Sequence, residues 1–160
     1  RNTLRFPTYP EERFMTYDAI INGARGLIYF GGSMAIDMNE ADKALGWNWT
    51  FWRRVLRPVI EEVGDKGPLA QGLVQPNPRL PIKAMSEGIE LCAREVGGEL
   101  FILAACKGPR KTEQVEITGL PKEITQGQVL FEEPRKVTAK DGTLKDWFAP
   151  WEVHVYKFKK

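Results

Sequence analysis

Gly26-Leu27-Ile28-Tyr29-Phe30-Gly31-Gly32 is a short apolar run between glycines, and a helical pattern lies on each side of it. Such a run is typical of a strand buried on both faces, as in a parallel sheet covered by helices. The chain offers no second run of this kind around it. Because a buried strand without neighbours leaves its backbone groups unpaired, we expect the neighbouring strands to come from outside this chain.

The helical patterns on either side have clear boundaries. Thr8 and Glu11 have the spacing of a capping box, and Gly23 can end the helix that they begin. The strand is predicted at about 26–30. A second helix is predicted from about Asn48 to Val63, with an apolar stripe along it and a kink at Pro58. The loop between them, residues 31–47, is long for a compact domain, and such loops are usually functional.

The second half of the chain has a different period. Three prolines within residues 75–81 predict a linker, and apolar and polar residues alternate after it. Gly97-Gly98 and Asp141-Gly142 are hairpin signals between such alternating stretches. Seven or eight short strands therefore predict a small antiparallel β-sandwich. The expected fold is α+β: an incomplete α/β barrel remnant (helix–strand–helix) at residues 1–75, followed by the sandwich at 80–160.

Composition narrows the classes of function. The chain has 160 residues, 42% of them hydrophobic and 28% charged, which predicts a folded protein. A net charge of +2 without a basic stripe argues against nucleic acid, and no apolar run is long enough for a membrane span. Cys92 and Cys106 lack metal or redox spacing, and a disulfide between them stays open. His154, the single histidine, has no motif partner and is expected at the surface or between domains.

Two passages carry a resemblance to a known class of enzyme. Residues 5–13 with 19–30 look like the seventh helix and eighth strand of a (β/α)8-barrel glycosidase similar to retaining β-galactosidases and cellulase-like enzymes. Residues 146–156 are similar to the last strands of the accessory β domains in such proteins. The order of elements thus resembles the C-terminal end of a glycoside hydrolase.

This resemblance implies where the chemistry would lie. Glycosidases of this type carry the catalytic acid on an earlier strand and the nucleophile near the seventh, so the resemblance implies no catalytic residue within these 160 positions. It also implies no metal or organic cofactor. Loops at the carboxyl ends of barrel strands line the active site, so residues 31–47 would form a wall of the pocket.

Three residues are candidates for contact with a sugar substrate: Trp47, Trp49 and Asp37. An indole ring can cover the apolar face of a sugar, and a carboxylate can accept a hydrogen bond from a hydroxyl. The alternatives are that the tryptophans pack between the helix and the barrel end and that Asp37, like Glu40 and Asp42, is a solvated loop acid. Trp52 lies on the apolar stripe and is expected in the core.

The sequence leaves three alternative functions. The first is a C-terminal portion of a glycoside hydrolase that binds carbohydrate and packs on an upstream barrel portion or a partner chain. The second is a non-catalytic carbohydrate-binding or interaction module with the helices as its attachment arm. Trp147, Phe148 and Trp151 either pack the β domain onto the second helix or form a separate sugar platform. The third is a structural domain that completes an oligomer or a partner's barrel.

Overall fold

The computed structural model describes residues 5–29, 48–108 and 112–160. The helices are α1 (Tyr9–Ile21), α2 (Asn48–Phe51), a π-helical segment (Trp52–Leu56), α3 (Arg57–Val63) and α4 (Ala70–Leu73). The strands are β1 (Lys83–Ala84), β2 (Ile89–Val96), β3 (Glu99–Cys106), β4 (Glu113–Thr118), β5 (Gln126–Leu130), β6 (Arg135–Lys140), β7 (Thr143–Phe148) and β8 (Val153–Lys159). No described helix has the length and apolar character that a membrane span requires.

The two predicted helices form, the second with an irregularity. At the start of α1 the Thr8 backbone N–H donates to the Glu11 carboxylate at 2.8 Å, as the capping spacing predicts. The second helix is divided by the π-helical segment, in which the Arg57 N–H donates to the carbonyl of Trp52. Pro58 lacks an N–H and its ring crowds the preceding turn, so a widened turn before it accommodates the proline.

The predicted strand at 26–30 is not formed at residues 26–29, and Phe30 lies outside the described residues. A strand needs a ladder of hydrogen bonds, and none of the described strands pairs with this segment. Leu27 and Tyr29 are partly buried, whereas Ile28 between them is 97% exposed. The segment therefore keeps the alternation of a strand, with one side packed and the other bare.

The second half is antiparallel throughout, as expected, and its strands form one sheet. The strand order is β1-β4-β7-β6-β5-β8-β3-β2. β6 joins the two halves, because Arg135–Thr138 pair with β5 while Ala139 and Lys140 pair with β7. The edge strands β1 and β2 lie close together, so the sheet is nearly closed and barrel-like. Where two separate sheets were expected, a single strand that changes partner makes one continuous sheet.

The inner core fills this nearly closed sheet. Side chains from β2 to β8 meet there, among them Leu100 and Ile102 of β3, Leu144 of β7 and Phe158 of β8, all without solvent exposure. Apolar side chains recur every second residue along each strand, which places one face of the sheet in this core. The β domain thus has its own hydrophobic centre.

The outer core joins the helices to the sheet. Phe14, Tyr17 and Ile20 of α1 pack with Leu69 on side chains of β2, β3 and β8 that point outward: Cys92, Phe101, Leu103, Ala105, Val153 and Val155. β3 is consequently buried on both faces. Cys92 and Cys106 lie on opposite faces of the sheet, one in each core, so they form no disulfide with each other.

A buried ionic network fixes α1 against α3 and β8. The Glu62 carboxylate of α3 accepts from Arg13 Nε at 2.8 Å, from the Tyr9 hydroxyl at 2.6 Å and from the Tyr17 hydroxyl at 2.9 Å. Arg13 Nη1 donates to the Val153 carbonyl of β8 at 2.5 Å. Burial and the neighbouring carboxylate raise the pKa of Tyr9 and of Tyr17, which keeps both hydroxyls protonated as donors.

Replacement of Glu62 is expected to destabilise the folded protein strongly. Glu62→Gln leaves Arg13 as an uncompensated buried charge, which costs about 3–5 kcal/mol of unfolding free energy. The matched control is Glu61→Gln, whose exposed pair with Arg57 contributes at most about 1 kcal/mol. Urea denaturation of both variants measures the difference, and equal midpoints would contradict the central role of Glu62.

Candidate functional site

Two of the three predicted substrate contacts, Trp47 and Asp37, lie outside the described residues, as does the predicted loop at 31–47. Trp49 is described and stands on α2 with 70% of its surface exposed. Trp52, expected in the core, is also exposed. Its predicted burial is wrong within this chain, because no described element covers that side of the π-helical segment.

The helical part, residues 5–29 and 48–75, exposes several other apolar side chains. Met15 of α1 is half exposed, Ile28 is almost wholly exposed, and Val74 after α4 is exposed. Isolated exposed apolar residues are ordinary, but most of the large ones among the described residues belong to the helical part. The helical part therefore differs from the β domain in exposing more large apolar side chains to solvent.

A cleft of about 800 Å³ lies between α1, the 24–29 segment, α3 and α4. Its walls are mainly apolar and include Ile20, Leu27, Ile60, Val63 and Leu73. The polar residues along it, Arg25, Asp65 and Gln71, do not supply a pair of carboxylates. Since hydrolysis of a glycosidic bond needs two such groups facing each other, this cleft is suited to apolar packing and not to that chemistry.

The carboxylates of Glu62 and Asp146, in the described interior of the protein, accept hydrogen bonds from neighbouring side chains. Glu62 is held by Arg13, Tyr9 and Tyr17, and Asp146 of β7 accepts from Arg135 and from the Tyr156 hydroxyl. Glu12 of α1 is 7% exposed as a residue, but its carboxylate oxygens are not among the buried polar atoms that lack a partner. No cluster of three metal-ligating side chains exists in the described ranges.

His154 is the centre of a second polar network, which sequence reasoning missed. The side chain is 2% exposed and its partners all belong to the β domain, so the expected position at the surface or between domains is wrong. Nδ1 lies 2.5 Å from Glu132 Oε1, Nε2 lies 3.0 Å from the Trp147 carbonyl, and Nε2 lies 3.5 Å from the Glu152 carboxylate. Burial alone would lower the pKa of His154, but the hydrogen bonds to Glu132 and Glu152 outweigh it and raise the pKa to about 9. The imidazolium therefore donates from both nitrogens.

Comparison with known proteins identifies the fold. No protein-family model matches the sequence, and no curated protein is significantly similar to it. An alpha-amylase of Anoxybacillus is similar over 94% of this chain and 32% of its own, with a TM-score of 0.56 and 19% identity. In fold, the chain is similar to part of an alpha-amylase.

Two further glycoside hydrolases match more weakly. An alpha-amylase from Geobacillus thermoleovorans, solved with acarbose, matches over 51% of this chain and 19% of its own, with a TM-score of 0.40 and 19% identity. A xylanase from Clostridium acetobutylicum matches over 47% and 21%, with a TM-score of 0.39 and 10% identity. The chain spans about a fifth to a third of these hydrolases.

The protonation of His154 can be measured directly, because it is the only histidine. Its imidazole resonance in a two-dimensional NMR titration is expected to show a midpoint near pH 9, where an unperturbed histidine titrates at about 6.5. A midpoint at or below about 6.5 would contradict the network.

The raised pKa of His154 also predicts how the unfolding free energy changes with pH. The folded-state pKa is raised, so the contribution of His154 is complete below about pH 6.5 and is lost as the pH rises through 9. The difference corresponds to about 3 kcal/mol. In a His154→Gln variant this alkaline loss should vanish.

Proposed function

We propose that this chain is the C-terminal portion of a glycoside hydrolase. Residues 1–75 would be the end of a (β/α)8 barrel, with α1 as a barrel helix and the 24–29 segment as the last strand. Residues 80–160 would be the accessory β domain. The portion would supply a wall of the active site without catalysing hydrolysis alone.

The observation that carries this proposal is the contrast within the 24–29 segment. Leu27 packs in the outer core and Tyr29 is bonded to Thr16 of α1 at 2.9 Å, whereas Ile28 is bare. In a parallel barrel, one side of each strand faces the helices and the other faces the barrel interior. Ile28 would then belong to an interior made by strands that precede residue 1. The likeness in fold to part of the Anoxybacillus enzyme supports the same assignment.

The substrate would meet the loop that follows this segment. Asp37 and Trp47 belong to that loop and Trp49 begins the next helix. Because loops at the carboxyl ends of barrel strands surround the active site, these three side chains would contact the sugar. The exposed indole of Trp49 is consistent with a role that needs access to ligand.

A second candidate, a non-catalytic carbohydrate-binding module, is favoured by one observation. Trp147 of β7 is 58% exposed on the outside of the β domain, where its ring could stack on a sugar. Titration with oligosaccharides, followed by tryptophan fluorescence, separates the candidates. Binding abolished by Trp147→Ala supports the module, and binding abolished by Trp49→Ala supports the pocket wall.

The test of the barrel assignment is a substitution in two backgrounds. Ile28→Ser should change the unfolding free energy of the 160-residue chain by no more than about 0.5 kcal/mol, because the side chain is already exposed. In the complete protein, where Ile28 would be in the barrel interior, it should cost about 3 kcal/mol. Met85→Ser, at another exposed apolar position, is the control and should be mild in both. An equally mild effect of Ile28→Ser in the complete protein would refute the assignment.

The 160-residue chain alone is expected to release no product from aryl glycosides, whereas the complete protein should. Hydrolysis needs two carboxylates about 5–9.5 Å apart across the bond, and the proposal assigns both to preceding strands. Turnover by the purified chain that disappears in an Asp37→Ala variant would show instead that the catalytic group is here.

A further inference from the structure

The outer face of β4 and β7 carries an exposed tryptophan within a polar surface. Along β7, Leu144 and Phe148 point into the inner core, so Lys145 and Trp147 point outward by the alternation of a strand. Trp147 is 58% exposed. A large flat apolar ring is thus presented to solvent by a strand, which is a rigid element of the fold.

The register of the sheet fixes the neighbours of Trp147 on this face. Gln114 of β4 lies directly opposite Trp147 and is exposed, and its amide can both donate and accept hydrogen bonds. The next outward pair, Glu116 and Lys145, is about 7 Å further along the strands and forms an ion pair. Hydrogen-bonding groups therefore follow the indole in a row.

The backbone of Trp147 is held in place from inside the β domain. His154 Nε2 donates to the Trp147 carbonyl at 3.0 Å, and the Trp147 N–H donates to Asp146 Oδ1 at 2.9 Å. Asp146 is held in turn by the Tyr156 hydroxyl at 2.9 Å. A ring on a fixed backbone loses less conformational freedom when it binds a ligand, so the second polar network preorganises this face.

The chemistry of this face selects a neutral sugar chain. A sugar ring has an apolar face of C–H groups that an indole can cover, and its hydroxyls can bond to amide and charged groups. The charges of Glu116 and Lys145 cancel in their pair, so that pair does not favour an acidic ligand. Lys83 and Lys140 flank the opposite end of the face, about 14 Å along the strands from Trp147.

A protein partner fits this face less well. The core of a protein–protein interface is depleted of charged residues and excludes water around its aromatic anchors. The outward neighbours of Trp147 on β4 and β7 are instead the polar Gln114 and the exposed Glu116–Lys145 pair.

We propose that the outer face of β4 and β7 binds a linear, neutral oligosaccharide. One sugar ring stacks on Trp147, and its hydroxyls bond to Gln114. The next ring along the chain bonds to the Glu116–Lys145 pair. This inference rests on the second candidate function proposed above and deepens it, whereas the barrel assignment and the pocket wall at Trp49 of α2 do not depend on it.

The experiment is a calorimetric titration of the 160-residue chain with maltoheptaose and with cellohexaose. Trp147→Ala should weaken the binding of the bound sugar at least about tenfold. Gln114→Ala should weaken it about threefold to tenfold, as expected for the loss of a hydrogen bond. Gln128→Ala, at an exposed glutamine of β5, is the matched control and should leave the affinity unchanged. Since all three side chains are exposed, the unfolding midpoint of each variant should stay close to that of the unmodified chain.

Salt and an acidic sugar test the class of ligand. Added salt should change the affinity for the neutral sugar by less than about twofold, because that ligand carries no charge to be screened. Tighter, salt-sensitive binding of a hyaluronan oligosaccharide that is lost in Lys83→Gln and Lys140→Gln would overturn the assignment to a neutral sugar.

The remaining outcomes separate this inference from the functions proposed above. Failure of both neutral sugars to bind would overturn the site, while the effect of Ile28→Ser would still decide the barrel assignment. Binding lost in Trp147→Ala but unchanged in Gln114→Ala would overturn the arrangement inferred here and leave the second candidate function standing. Binding lost only in Trp49→Ala would overturn the site and support the pocket wall.

Discussion

The carboxylate of Glu62 is the interaction on which the arrangement of the helices depends. It gathers three donors from α1, and one of them, Arg13, also reaches the β8 backbone. A carboxylate and a guanidinium can be buried together only when their hydrogen-bonding groups are largely satisfied, so α1, α3 and β8 must assemble as one unit. The positions of the 24–29 segment and of α2 follow from that unit, because each adjoins a helix that the network holds.

The helical part consequently has two sides of different character. Toward the sheet, apolar side chains fill the outer core and Arg13 and Glu62 satisfy each other. Away from the sheet, Ile28 is bare and Trp49 and Trp52 are exposed. A protein surface rarely gathers several large exposed apolar side chains in one part. An incomplete barrel would produce this difference between a packed side and an exposed side.

Sequence reasoning succeeded where the decisive contacts are local. The Thr8–Glu11 cap and the turns at Gly97-Gly98 and Asp141-Gly142 depend on neighbouring residues, and each forms as predicted. It failed where residues distant in the chain meet: Arg13 and Glu62 are 49 positions apart, and His154 and Glu132 are 22 positions apart. The continuous sheet was missed because alternation predicts strands but not that β6 changes partner midway. For the candidate site, the strand predicted around Ile28 is not formed at residues 26–29, and Asp37 and Trp47 stay predictions.

The turn between β7 and β8 shows how closely the packing of the β domain depends on α1. Trp151 has a φ of 62°, a backbone conformation that is rare for a bulky side chain and costs about 1–3 kcal/mol. The surrounding packing must therefore hold the residue in this conformation. Its ring packs edge-on against Phe14 of α1 at 4.8 Å, and Glu152 and His154 follow it in the second polar network. Phe131, with a φ of 65°, lies in the same outer core. Without α1, these side chains and the outward faces of Phe101 and Leu103 would be exposed to water. The β domain and α1 therefore pack as one unit, which argues against helices that serve only as a loose attachment arm.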